Sequence, residues 1–349
     1  MLLTIIPFVL AARFALDENY EERYRWRYGS ESIYDVSVNI FRTDFGDKFC
    51  STISGELDCQ PKDSESLSCR LRSGVMTSWR ANDFTRCYLS RNDTTRDHFF
   101  DGEPFEIRFH SRGIENLVVR RTIPRWRLDV IKTVVAQLDI GSVLDKGPSW
   151  FVTIENSTFG TCALESKIFI TGDRSTENEN EFDIVSLSSN GSRYADVLSR
   201  DANIIIEKIR RPEKCPRRAI YFFGYASNDF RTERGIFLEM VSSITRTTIS
   251  RKRFSSQTLS EGSVLAPDGS TIGYSHQNVT LTLKSVHPAR ANSSTISNPA
   301  STGLYTPSTP VSFWDTIRRV LPLLRKPVPT VRRSLSILPT PTGQTSRNN

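Results

Sequence analysis

The sequence predicts a mainly β protein: an antiparallel sheet or barrel carrying one amphipathic helix, followed by a polar linker and tail. Three observations predict it. Short runs of alternating apolar and polar residues recur along most of the chain, the period-two signature of half-buried strands. One long stretch, residues 124–139, repeats its apolar residues at helical spacing. Residues 289–312 are mostly Ser, Thr, Pro, Asn and Gly, a composition with too little apolar surface to bury a core.

The chain opens MLLTIIPFVLAARFALDENY. Residues 2–12 are apolar but too few to span a bilayer, and Ala11, Ala12 and Ala15 precede the acidic Asp17 and Glu18. This is the pattern of a secretory signal peptide over residues 1–15, although its first residues hold no Lys or Arg. The competing reading of the same run is a buried strand.

Strand signals then dominate residues 16–288. In SIYDVSVNIF, Tyr34, Val36, Val38 and Ile40 alternate with polar residues. PFEIRFH alternates Phe105, Ile107 and Phe109, and NLVVRR follows the turn residues Ser111 to Gly113, which predicts a hairpin. The segments SWFVTIE, SKIFIT, ANIIIEKI, AIYFFGY and NVTLTLKSV supply further short strands, and many such strands between turns argue for an antiparallel sheet or barrel. In the helix, Pro124 suits the first turn, where a missing N–H costs nothing. Leu128, Ile131, Val134, Val135 and Leu138 form the stripe, and Gly141 is a C-terminal stop. A single helix among strands must bury that stripe against the sheet, or inside it if the sheet curls closed.

After the linker at 289–312, residues 313–349 form a basic tail of low order. SFWDTIRRVLPLLRK within it can make about two turns of amphipathic helix before Pro322. Residues 310–349 hold seven Lys or Arg and one Asp, a net +6 of the chain's +7, so residues 1–309 carry only 7 − 6 = +1. The body is nearly neutral, and the basic balance of the whole chain is no argument for a nucleic-acid partner.

Six cysteines, Cys50, Cys59, Cys69, Cys87, Cys162 and Cys215, form an even set of the kind an oxidising compartment favours. Five Asn-x-Ser/Thr sequons occur, at Asn92, Asn156, Asn190, Asn278 and Asn292, while Pro299 excludes Asn298. With the leader they predict a secreted, disulfide-bonded glycoprotein. No cysteine pair has zinc-ligand spacing and the four histidines are scattered, so no metal is expected. G-x-S-x-G, P-loop and H-E-x-x-H patterns are absent. The carboxylates of Glu18, Glu21, Glu22 and residues 177–183 stand in polar stretches, whereas acid–base catalysis needs burial to shift a pKa. The expectation is a protein that is not an enzyme and needs no cofactor.

One cluster stands out. ANIIIEKIRRPEKCPRR brings Lys208, Arg210, Arg211, Lys214, Arg217 and Arg218 close around Cys215, with Lys208 and Arg210 on one strand face. Such a strand can hold polyanions or an acidic receptor, or can use its charge to block edge-to-edge pairing.

Several segments, taken in order, resemble the N-terminal domain of insect vitellogenins, within the large lipid transfer protein superfamily. PFEIRFHSRGIENLVVRRTIPRWRLDVIKTVVAQL is similar to that family's hairpin and helix, through Phe105, Phe109, Gly113, Trp126 and the helix itself. WFVTIENSTFGTCALESKIFI resembles its Glu-x-x-x-x-Gly-x-Cys strand, through Glu155, Gly160 and Cys162. EKIRRPEKCPRRAIYFFG resembles the partner segment, a basic strand followed by Cys215 and ending at Gly224. The segment from Met240 to Tyr274 resembles the final strands, with Ser243 and Arg246 in place, and RWRYGSESIYDVSV resembles the first strand. The similarity runs from about Arg25 to Val286.

The resemblance implies that residues 16–288 form a β-barrel, the N-sheet, enclosing the helix. It implies a disulfide between Cys162 and Cys215, and leaves Cys50, Cys59, Cys69 and Cys87 to pair among themselves in any of three ways. It implies a receptor-facing role for Lys208 and Arg210, the residues seven and five before Cys215, with Arg211 beside them where the family has an acidic residue. The implied partner is a lipoprotein receptor of the low-density type, and lipid is a possible cargo. The family's helical and lipid-bearing domains have no counterpart in these residues, so the expectation is a chain truncated after the barrel. The expected function is a secreted vitellogenin-like protein with a lipid-transport or lipoprotein role, the barrel serving as a receptor- or partner-binding module. The alternative is an extracellular module that binds a receptor, ligand or glycan and carries no lipid.

Overall fold

A computed structural model describes residues 8–12, 30–44, 46–63, 65–80, 95–98, 102–110, 113–140, 150–158, 160–172, 182–186, 202–212, 215, 217–218, 237–250, 253–266, 268–289 and 295–304. All belong to one unit, Met1–Thr309; the second unit, Pro310–Asn349, which holds the whole of the expected basic tail, lies outside the described residues.

The strands are β1 (Phe8–Ala12), β2 (Ser30–Asp44), β3 (Asp47–Pro61), β4 (Ser66–Arg80), β5 (Thr95–His98), β6 (Pro104–His110), β7 (Gly113–Arg120), β8 (Trp150–Ser157), β9 (Gly160–Gly172), β10 (Phe182–Ser186), β11 (Ala202–Arg210), β12 (Arg217–Arg218), β13 (Phe237–Ile249), β14 (Phe254–Leu265), β15 (Thr271–Pro288) and β16 (Pro299–Thr302). One α-helix, α1 (Arg125–Val135), runs into a 3₁₀ turn over Ala136–Leu138. β1 pairs with β10 in a small two-stranded sheet, so part of the run read as a leader is a strand here. The other fourteen strands form one antiparallel sheet in the order β12-β9-β11-β13-β14-β15-β2-β3-β4-β6-β7-β16, with β8 also on β9 and β5 also on β4.

Alternation gives this sheet two unlike faces. Tyr34, Val36, Val38 and Ile40 of β2 turn inward with Ile53, Leu57, Ile107, Leu117, Ile204, Ile206, Leu281 and Leu283. Val130, Ile131, Val134 and Val135 of α1 join the same core, Val134 and Val135 with no exposed surface at all. The helix thus buries its stripe on the sheet's inner face, as the periodicity requires. It begins one residue later than expected: Pro124 is its N-cap, in an extended conformation, rather than its first helical residue. The expected stop at Gly141 lies outside the described residues.

Closure into a barrel, implied by the resemblance, is not found. Among the described residues no pairing joins the two ends of the sheet. β8 and β11 both pair with residues 164–167 of β9, so they flank it on opposite sides, and β8 is one edge. β12 and β8 both pair with Gly160 and Thr161, so β12 continues the β11 side. The opposite edge is β16, only four residues long and starting with Pro299, which has no N–H to donate. The apolar inner face is covered by the helix, so burial is achieved without the edges meeting.

The stretch read as a linker is also more ordered than its composition suggests. Within 289–312, β16 pairs with Leu117–Arg120 of β7, the Arg121 N–H donates to the Asn298 carbonyl at 3.0 Å, and Leu304 is buried in the core. Backbone pairing to an available edge does not require apolar side chains, and one leucine suffices to anchor the segment.

Candidate functional site

Two strands that flank β9 each turn charged residues inward. On β11 the residues at spacing two from Ile204 and Ile206 are Lys208 and Arg210, so the same alternation that buries the isoleucines buries the cations. Lys208 is 2% exposed and Arg210 6%. On β8 the inward set is Phe151, Thr153 and Glu155. The Glu155 carboxylate therefore meets both cations: Lys208 Nζ donates to Oε2 at 2.8 Å and Arg210 donates to Oε1 at 2.9 Å. Lys208 Nζ also donates to the Asp139 main-chain carbonyl at 2.7 Å, just past the helix. Arg210 donates to Thr245 Oγ1 at 2.8 Å.

From Thr245 a line of hydroxyls continues across the inner face. Thr245 and Thr258 share a 2.8 Å hydrogen bond, and Thr258 and Ser256 donate to Gln137 Oε1 at 3.0 and 3.1 Å. Every member is buried, and the chain of bonds ties the end of the helix to β11, β13 and β14. Such a network fixes the position of the helix on an otherwise apolar sheet.

The electrostatics follow from burial and from the two cations. Burial alone would raise the Glu155 pKa, but Lys208 and Arg210 outweigh it and hold the carboxyl below its ordinary range. For Asp139 burial wins: its carboxyl is pushed up to about 6, against the pull of Lys208 and Arg210 and a hydrogen bond from the Ile114 N–H. Another buried carboxylate, Asp58, lies on the other face beside Arg70 and Arg72, and burial raises its pKa too.

The expected receptor-facing pair is corrected by this geometry. Lys208 and Arg210 share a strand face, as expected, but it is the buried face, and both are already hydrogen-bonded to Glu155. An acidic receptor module cannot touch them on the folded protein. Arg211 turns outward and is 46% exposed, with its guanidinium on Glu165 at 3.1 and 3.2 Å. Lys214 lies outside the described residues, as do the side chains of Arg217 and Arg218.

Cys162 and Cys215 form a disulfide, the pair that the resemblance implied. Cys59 and Cys69 form another, from directly opposite positions on β3 and β4. Cys50 is also disulfide-bonded, and Cys87 lies outside the described residues. Of the sequons, Asn156 is exposed on β8 and accepts from Thr161 Oγ1 at 2.7 Å. Asn278 is half-buried on β15 and accepts from Gln257 Nε2 at 3.0 Å. Asn92, Asn190 and Asn292 lie outside the described residues. Disulfides of this number fit an extracellular protein, and among the described residues no helix is long and apolar enough to cross a membrane.

No family model matches the chain. Its structure is similar to one solved in a study of lipid–protein interactions in lipovitellin, with a TM-score of 0.55 and 10% sequence identity. The fold is vitellogenin-like. The match covers 82% of this chain and 28% of the lipovitellin chain, so the shared part is less than a third of that longer protein. At this identity the likeness concerns the path of the backbone. Sequence reasoning missed that Glu155, singled out only as a motif residue, is the counter-ion of Lys208 and Arg210. The signal was present in the parity of β8, where Glu155 shares a face with Phe151.

Proposed function

We propose that this chain is a secreted vitellogenin-like protein acting in lipid transport, with the helix-bearing sheet as its receptor- or partner-binding module. The observation that supports the reading is the lipovitellin-like course of the chain over 82% of its length, with a helix seated on the inner face of a large antiparallel sheet. The module meets its partners through its outer face and edges, because its inner face is filled by α1 and the Gln137 network. No enzymatic role and no cofactor are part of this reading, and a receptor of the low-density lipoprotein type is the proposed partner. Lipid is proposed as cargo of the assembly in which the module works.

The packing of Val134 and Val135 without exposed surface favours a second reading. In it the chain is an extracellular binding module that recognises a receptor, ligand or glycan and carries no lipid itself. One experiment separates the two. The secreted full chain is purified without detergent, and co-purifying phospholipid is quantified by mass spectrometry beside binding to a receptor ectodomain. Stoichiometric phospholipid supports the lipid-transport reading; receptor binding by a lipid-free chain supports the second; neither lipid nor receptor binding overturns both.

A further inference from the structure

Trp150, Val152 and Ile154 are 59%, 53% and 73% exposed. Single exposed apolar residues are common on soluble proteins, but these three stand at spacing two on one strand, β8. Their neighbours point the other way: Phe151 packs against the core and Glu155 is held by Lys208 and Arg210. β8 is also a sheet edge, and among the described residues no strand lies on its outer side.

Exposed edges are ordinarily blunted by shortness, by bulges, by proline or by charge. β16 at the other end of the sheet has both the shortness and the proline. β8 has none of these. It keeps unbroken register with β9 over eight residues, holds no Pro, Lys or Arg, and its one charge is turned inward and neutralised.

We propose that β8 is a homodimerisation edge, where the β8 strands of two copies pair antiparallel about a twofold axis and continue the sheet from one subunit into the other. The sequence of the edge is self-complementary. With Val152 opposite Val152 of the second copy, Trp150 falls opposite Ile154, and residues directly opposite share a face. The outward ladder is then shared by both copies, and Phe151 faces Thr153 on the inward side. Trp150–Ile154 contains no charged residue, so no like charges oppose each other. Asn156, with its sequon, lies beyond the paired segment.

A lipid surface is a poorer match, since the residues beside the ladder on β9 are Lys167 and Glu165, of opposite sign, rather than a basic rim. A contact of one strand is small beside standard protein interfaces, so the dimer should be reversible and concentration-dependent.

The test uses the secreted full chain in sedimentation velocity across a wide concentration range. The wild type is expected to pass from one chain mass to twice that mass. Val152→Lys is expected to stay monomeric with an unchanged melting temperature, because the side chain it replaces is exposed. Val152→Cys is expected to give a disulfide-linked dimer under mild oxidation, since the twofold axis sets that residue against itself. A wild type that stays monomeric throughout, a Val152→Lys protein that still dimerises, or a Val152→Cys protein that does not cross-link would each overturn the proposal, whether β8 then binds lipid, a foreign peptide or nothing.

Discussion

Glu155→Gln is the most informative single change in this protein. Gln keeps the shape and one acceptor oxygen but removes the negative charge shared by Lys208 and Arg210. Those side chains are 2% and 6% exposed, and Glu155 itself is 13% exposed. Water therefore cannot replace the lost partner. Breaking a buried ion pair from one side costs about 3–5 kcal/mol, because it strands the remaining charge. At roughly 2–4 °C per kcal/mol for a domain of this size, the melting temperature should fall by about 6–20 °C. Glu165→Gln is the matched control. Its partner Arg211 is 46% exposed, and a surface pair of that kind is worth about 0–1 kcal/mol. The assay is thermal and denaturant unfolding of both variants, with the triple variant Glu155→Leu, Lys208→Met and Arg210→Met alongside. The triple variant should recover most of the loss, since apolar residues of similar volume replace a buried ionic cluster at little cost. A Glu155→Gln protein within about 1 kcal/mol of wild type would refute the reasoning. It would mean that the two cations are solvated or satisfied elsewhere.

Three further outcomes follow from the same structure. Asp139 has a folded pKa raised to about 6, so the stability tied to its protonated form is fully present below its ordinary value and is lost as pH rises through about 6. Glu155 works in the opposite sense, its contribution being lost as pH falls. Asp139→Asn should therefore be stabilised relative to wild type more above pH ~7 than below pH ~4, measured by melting temperature at both pH values; equal differences would count against a buried, protonated Asp139. Ile131→Asp and Val135→Asp place a carboxylate at sites 4% and 0% exposed, cost several kcal/mol, and should abolish folding; an unchanged melting temperature would put the helix on the surface. Gly55 sits at the bulge between β3 and β4, where an added Cβ would lie 2.9 Å from the Arg72 carbonyl oxygen. Gly55→Ala should cost about 1–3 kcal/mol in denaturant unfolding, and a neutral result would show that the bulge can relax.

The strands that sequence patterning located best are those with one wet and one dry face. Tyr34 to Ile40 and Phe105 to Phe109 alternate in sequence and both lie where expected, although Glu106 between Phe105 and Ile107 is buried too. β14 was harder to read, because its inward residues include Ser256, Thr258 and Ser260, which are buried by hydrogen bonding rather than by hydrophobicity. A polar residue facing an internal partner is indistinguishable in sequence from one facing water. The linker misled for a related reason. Composition reports the capacity to form a core, and β16 needs none of its own because β7 offers it a ready-made edge. Closure of the sheet is a global property, and no local pattern reports whether two edges meet.

The basic strand shows the most instructive limit. ANIIIEKIR contains its own answer: Ile204, Ile206, Lys208 and Arg210 share one parity, so cations and core residues must face the same way. Charge alone suggested a solvated face, while parity placed the residues inside, and parity is the stronger constraint. A strand cannot turn one residue without turning all of its fellows, whereas a cation can be accommodated wherever a carboxylate awaits it. That carboxylate, Glu155, obeys the same rule on β8, and the rule that draws it inward sends Trp150, Val152 and Ile154 outward. The buried charge cluster and the exposed apolar ladder are thus two consequences of one register between β8, β9 and β11. A shift of β8 by one residue would put Glu155 in water and Ile154 beside Lys208. That would leave two cations uncompensated and remove the apolar edge at the same time. Loss of the ion cluster by mutation and loss of dimerisation should therefore be separable, by Glu155→Gln and Val152→Lys, only while that register is kept.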